Sequence, residues 1–320
     1  MVSFLLTACG GAAVAAPQAT NSQTSPPPAT KGATITPTST DTPTITPTST
    51  LTPTPTTTRV AQGPDNVTVP ILLYHRIGIS PTNNQYYLAP EKFEAQMKLL
   101  HDWEYSVIPV DLLVKAIKEG AELPPRPVMI TFDDGDISVY TTAFPIMHKY
   151  GLTGVVYIVG NYMGTEGYMS ADQIKELVAA GWEVGSHSRS HRDLTRLAPE
   201  VQRMEIVEAR KVLQEATGDE VLSFAYPFGL MNSAVGDYAH FAGYIAAMGL
   251  GFTPHQGKSN LFWLQRRDVK GDTDIKRFAG NLPWQGDPNF IPADTPTPTP
   301  TASHTPIPTY TMYPTSTTSP

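Results

Sequence analysis

Between residues 67 and 290, short apolar runs alternate with helical patterns, and this alternation narrows the fold class more than any other feature of the chain. Residues 69–73, 105–108, 127–132 (PVMITF), 154–159, 182–186, 223–226 and 264–269 read as strands. Most are apolar throughout rather than on alternate positions, so both faces are expected to be covered. Between them, Pro90 opens a helix with Phe93, Met97 and Leu100 on one face. Further helical patterns run over 111–119, 138–150, 171–180, 199–217 and 234–248. Ser170 and Gln173 can form a capping box, while Gly151, Gly181 and Gly218 follow helix ends. Strand-then-helix repetition implies an α/β fold with a parallel sheet and helices outside. Seven or so such units favour a barrel over an open sheet. The chemistry of barrels sits at the C-terminal ends of their strands.

The ends of the chain cannot join this core. Thr, Pro, Ser and Ala fill residues 17–58 and 293–320, where most of the 31 prolines lie. Such tracts lack the periodicity that buries a core, and they are expected to be extended, disordered spacers. Four segments follow: a truncated lipoprotein signal over 1–9, a Thr/Pro-rich linker over 10–66, one folded domain over 67–290 and a tail over 291–320. The only cysteine, Cys9, excludes an intramolecular disulfide. Leu6-Thr7-Ala8-Cys9 resembles a bacterial lipobox, which implies a lipid anchor at Cys9 and an extracytoplasmic domain tethered to the membrane or cell surface. The leader MVSFLLTA lacks a positive start and is shorter than a signal peptide, so the true start is expected upstream. A net charge of -7 and the absence of any basic run argue against nucleic acid as a partner. The folded part has no apolar run long enough to span a bilayer.

Three polar clusters stand at expected strand ends. The first is Thr131-Phe132-Asp133-Asp134-Gly135. Two adjacent carboxylates after a buried strand are costly unless a cation or a proton separates their roles. The second is His187-Ser188-Arg189-Ser190-His191, read as two imidazoles on one face of a helical turn, able to share a metal. A carboxylate with two histidines is a common set for a catalytic divalent ion with open positions. The third is Tyr226-Pro227-Phe228-Gly229, a tight turn that can aim a backbone N–H into a cleft.

TFDDG, then HSxSH, then YPxG, in that order and with the flanks AFPIMHKYGL and AAGWEVGSHSRSHRDLTRL, resembles the polysaccharide deacetylases. These are the family 4 carbohydrate esterases that share the nodulation-factor deacetylase domain. The resemblance implies a distorted seven-stranded (β/α) barrel. It makes Asp133 the general base and Asp134, His187 and His191 the ligands of a divalent ion, zinc, with cobalt as a substitute. The Phe228 N–H becomes the oxyanion donor. Amide hydrolysis also needs an acid to protonate the departing amine. Many members carry it as a histidine in a C-terminal Leu-x-His motif, which is missing here. Leu73-Tyr74-His75-Arg76 instead resembles the front-placed motif of biofilm poly-N-acetylglucosamine deacetylases, which makes His75 the acid, with His240 and His255 as alternatives. The family's arginine before the YPxG proline is missing too; Arg266 or Arg267 on the last strand can pair with Asp133 and depress its pKa. Asp136 stands where members often have an aromatic residue. Tyr162, Tyr168, Phe262, Trp263 and Trp284 are available for a sugar-stacking wall.

The expected activity is metal-dependent removal of N-acetyl groups from an extracellular aminosugar polysaccharide: peptidoglycan, a chitin-like chain or poly-N-acetylglucosamine. The expected state is a monomer. O-Deacetylation of xylan and an inactive cell-wall binding module are the competing readings.

Overall fold

The computed structural model describes residues 59–286, so Cys9, most of the linker and the tail over 291–320 lie outside the described residues. Seven parallel strands form the barrel: β1 Ile71–Tyr74, β2 Pro127–Phe132, β3 Val155–Ile158, β4 Glu183–Ser186, β5 Ser223–Ala225, β6 Ala246–Met248 and β7 Arg266–Asp268. Their order around the wall is β6-β5-β4-β3-β2-β1-β7. The last gap is bridged just before β7, where Leu264 N–H donates to Ala247 O at 2.9 Å and Gly249 N–H donates to Leu264 O at 2.9 Å. The α-helices of the described part are α1 Pro90–Asp102, α2 Val110–Glu119, α3 Phe144–Lys149, α4 Ala171–Ala179, α5 Pro199–Arg203, α6 Ala209–Thr217, α7 Ser233–Phe241 and α8 Ile275–Gly280. Among the described residues, no helix is long and apolar enough to cross a membrane.

Alternation along each strand separates two buried clusters. Leu72, Tyr74, Val128, Ile130, Phe132, Val156, Ile158 and Phe224 pack outward with the helices. Ile71, Met129, Val155, Tyr157, Ala225 and Met248 form the second cluster, inside the wall. Contacts between strands that are not neighbours show which parity faces inward. Tyr157 on β3 shares a hydrogen bond with Ser223 on β5 at 2.9 Å, and the Arg266 guanidinium on β7 lies 5.3 Å from the Tyr157 ring centre. Gly185 makes room for that ring, since a Cβ there would come within 2.2 Å of it. Period-two counting then carries the same inward face to His75, Thr131, Asp133, His187 and Arg266.

Four expectations need correction. Residues 105–108 do not make a barrel strand; only Ser106–Val107 pairs, against the first two residues of β2, and it stays off the barrel path. The seventh strand comes instead from the segment expected to continue as helix to 248. There α7 ends at Phe241, Gly243 takes φ +88°, and Ala246–Met248 enters the sheet. The folded part also reaches back into the expected linker: Val60–Gln62 pairs antiparallel with Ala121–Leu123, and Asn66–Thr68 with His255–Gly257. These short strands lie at the N-terminal end of the barrel, away from the polar clusters. Finally, residues 187–191 are an irregular loop and not a helical turn, with Ser188 and His191 at positive φ. The Ser170–Gln173 capping box forms as expected, opening α4.

Candidate active site

The three polar clusters meet at the C-terminal mouth of the barrel. Asp133 follows β2 directly, and its N–H donates to Tyr74 O at 3.0 Å, which ties it to the end of β1. Its carboxylate accepts both arms of Arg266, Nη1 to Oδ1 at 2.6 Å and Nη2 to Oδ2 at 2.8 Å. Arg266 is buried and also donates from Nε to Gly249 O at 3.2 Å. Burial pushes the Asp133 pKa up, but Arg266, with His187 and His75, outweighs it and holds the carboxyl at about 2. Of the two candidate arginines, Arg266 makes this pair; Arg267 donates to Asn281 and to Phe252 O instead.

Asp134, His187 and His191 form the one group of metal-ligating side chains found among the described residues, with one ligand atom from each lying within 4.8 Å of the others. His187 Nδ1 lies 2.8 Å from Ala225 O. A carbonyl only accepts, so Nδ1 carries the proton and Nε2 keeps its lone pair for the site. Burial and the adjacent His187 push His191 down to about 4, so its imidazole is neutral near pH 7 and able to ligate. Two imidazole nitrogens and one carboxylate fit a divalent ion such as zinc.

The loop that carries His191 is fastened from within the motif and from outside it. Ser188 Oγ accepts from His191 N–H at 3.0 Å, and the buried Glu205 accepts from Ser190 N–H at 2.8 Å. Glu205 sits in a π-helical turn, Met204–Glu208, between α5 and α6. The sequence reading missed this anchor, and a carboxylate in the middle of a continuous helical pattern gives no sign of it. Four residues at the site adopt the left-handed region: Asp134 (φ +73°), Ser188 (+64°), His191 (+55°) and Phe228 (+59°). None is a glycine, and such strain persists only where surrounding contacts hold it.

His75 lies beyond β1 with its Nδ1 buried and without a hydrogen-bond partner among the described residues. Its ring packs 4.6 Å from that of Tyr86. Burial lowers its pKa, partly offset by Asp133, Asp134 and Asp268. Phe228 stacks edge-on against His191 at 4.6 Å, and the hydrogen bonds of its turn, Gly229 N–H to Tyr226 O and Leu230 N–H to Pro227 O, do not use the Phe228 N–H. The alternatives to His75 lie elsewhere. His255 reaches Thr68 at the opposite end of the barrel, and His240 packs on Phe262. The proposed aromatic wall does not come together. Tyr162 and Tyr168 pair at 4.7 Å, and Tyr168 bridges to Asp136 near the site, whereas Trp284 packs on Tyr105 and Trp263 stacks on Tyr226.

Comparison with known proteins agrees with this geometry. Residues 120–247 match the family model described as polysaccharide deacetylase. The chain carries a polysaccharide deacetylase domain. The deacetylase domain is 30% identical over 179 residues to the Bacillus subtilis protein YxkH, covering 55% of this chain and 62% of that one. It is 30% identical over 163 residues to a Staphylococcus aureus poly-beta-1,6-N-acetyl-D-glucosamine N-deacetylase, covering 46% of this chain and 55% of that one. The chain thus spans little more than half the length of these curated relatives. In fold it resembles the Streptococcus pyogenes deacetylase PplD, with a TM-score of 0.63 at 24% identity over 68% of this chain and 98% of that one.

Proposed function

We propose that the deacetylase domain hydrolyses N-acetyl groups on an extracellular aminosugar polysaccharide of the poly-N-acetylglucosamine, peptidoglycan or chitin type. The observation that carries this reading is the juxtaposition of the Asp133–Arg266 pair with the Asp134, His187 and His191 triad. Asp134, His187 and His191 would hold a divalent ion, zinc or in its place cobalt, which when bound supplies Lewis acidity toward water and the acetyl carbonyl.

The remaining chemistry falls to the side chains and backbone of this chain. Asp133 is ionised at any working pH. Arg266 occupies only two of the roughly four acceptor positions of the carboxylate, so Asp133 can take the proton of the attacking water. As water adds to the acetyl carbon, negative charge gathers on the carbonyl oxygen, and the Phe228 N–H, which the hydrogen bonds of its own turn do not use, is the donor we assign to it. Collapse breaks the carbon–nitrogen bond, and His75 protonates the departing amine. The products are acetate and a free amino sugar. The Staphylococcus relative acts, by its name, on an N-acetylglucosamine polymer, and that supports an aminosugar over xylan here. The Thr/Pro linker and Cys9 support placement outside the cell, lipid-anchored to the membrane or cell surface.

Acetate release from acetylated glucosamine oligomers and from acetylated xylan, before and after chelation, tests the reading. Release from the oligomers that stops on chelation and returns with zinc is expected. Release from xylan alone would make the protein an O-acetyl esterase, and release from neither would make it a binding module. For the anchor, Cys9→Ser is expected to shift the protein out of the membrane fraction; unchanged membrane association would refute a lipid at Cys9.

A further inference from the structure

The two oxygens of Asp134 face different partners. Oδ1 lies 3.5 Å from His191 Nε2 and 3.8 Å from His187 Nε2. Oδ2 lies 3.4 Å from Arg76 Nη2. Arg76 is itself held in place. Its Nε donates to Asp136 Oδ2 at 2.9 Å, and its guanidinium lies 5.6 Å from the centre of the Tyr87 ring. Asp136 Oδ1 accepts from Ser138 N–H at 2.9 Å, and Ser138 Oγ accepts from Ile77 N–H at 3.0 Å. The chain leaving β1 is thereby cross-linked to the chain leaving β2. The side chains of Arg76, Asp134 and Asp136 are 18%, 13% and 16% exposed, so solvent and salt screen these charges less than those of an open surface pair.

We propose that Arg76, clamped by Asp136, is a positioning residue for Asp134. It occupies Oδ2, so that Oδ1 alone is turned toward an ion shared with His187 and His191. Ligation through one oxygen leaves more coordination positions for water and substrate. It also gives a role to the aspartate that stands at 136, since that carboxylate fixes the guanidinium. A lysine could not do the same, because holding two carboxylates in fixed directions needs the planar fork of arginine.

The inference rests on Asp134, His187 and His191 being the ligands, and the test separates the two claims. Cobalt(II) binding is measured by competition with a chromophoric chelator, alongside the visible cobalt spectrum and the melting temperature of the ion-free protein. Arg76→Met is expected to weaken cobalt binding about 10- to 100-fold, the usual cost of losing a partner behind a metal ligand. Asp136→Asn, which leaves every ligand and Arg76 in place, is expected to weaken it in the same direction by less. The ion-free melting temperature of Asp136→Asn should stay near that of the unsubstituted protein. Unchanged or tighter cobalt binding with an unchanged spectrum in Asp136→Asn and in folded Arg76→Met would overturn the positioning role. If the unsubstituted protein fails to bind one equivalent of cobalt, the ligand assignment fails first, and the positioning role fails with it.

Discussion

Asp133, buried, and Glu183, half-buried, are carboxyl groups at opposite ends of the same barrel, and their acidities diverge. Asp133, at the open end, is held at about 2, whereas burial pushes Glu183, at the start of β4, up to about 7. Both lose water. The difference is what each receives in return. Asp133 receives a guanidinium in bidentate contact, with His187 and His75 nearby. Glu183 receives, among the described residues, the Val110 N–H at the start of α2, at 3.1 and 3.2 Å, and has Asp111 and Asp219 as unfavourable neighbours. A carboxylate that must stay ionised inside a protein therefore needs a cation built in with it. Here the arginine comes from β7, two strands away from β2 around the barrel wall.

The largest expected effect sets one end of the barrel against the other through histidine. His75→Ala should lower amide hydrolysis by about 10²- to 10⁴-fold at unchanged ion content, the usual worth of a positioned general acid. It should harm an activated acetyl ester far less, because a good leaving group needs little protonation. Equal loss on both substrates together with loss of the ion would make His75 a ligand or a packing residue. The matched control at the closed end, His255→Ala, should leave both rates nearly unchanged.

Arg266→Met leaves Asp133 buried without its cation and should destabilise the fold by about 3–5 kcal/mol. Adding Asp133→Asn should restore most of that, since no charge is then stranded. A double variant as unstable as the single one would show that Arg266 acts through packing on Tyr157 and not through charge.

The pH dependence follows from the direction of each shift. The folded pKa of Asp133, about 2, lies below its ordinary 3.8, so its contribution is complete above about pH 4 and is lost as the pH falls toward 2. At about 1.4 kcal/mol per unit this amounts to about 2 kcal/mol, read as the difference in acid unfolding between the ion-free protein and Asp133→Asn. Glu183 has the opposite sign. Its folded pKa, about 7, exceeds the ordinary 4.5, so ionising it costs stability as the pH rises through that range. Glu183→Gln keeps an acceptor for Val110 N–H and should stabilise the protein by about 1–2 kcal/mol at pH 8 and hardly at all at pH 4. An equal gain at both pH values would contradict the assignment.

Much of this could be read from the residues alone. The apolar runs located six of the seven barrel strands, and the polar clusters at their ends contain the groups that meet at the mouth. Strand parity explains why: Met129, Thr131 and Asp133 alternate onto one face. What escaped depends on partners distant in sequence. Ala246–Met248 reads as the end of a helix because three small or flexible apolar residues satisfy either pattern, and only pairing with β5 decides. The HxxxH spacing suggests a helical turn, but Glu205 and the Ser188 hydroxyl hold the loop in an irregular path. Arg76 and Asp136 are 60 residues apart and declare a joint role only once β1 and β2 lie side by side.

The central claim is that Asp133 acts as base beside an ion held by Asp134, His187 and His191. The most direct measurement is acetate release from an acetylated glucosamine oligomer by zinc-loaded protein, compared with zinc-loaded Asp133→Asn. The account predicts one equivalent of zinc in both and a rate lower by about 10²- to 10⁴-fold in the variant. A zinc-loaded Asp133→Asn protein that releases acetate at the unsubstituted rate would contradict it.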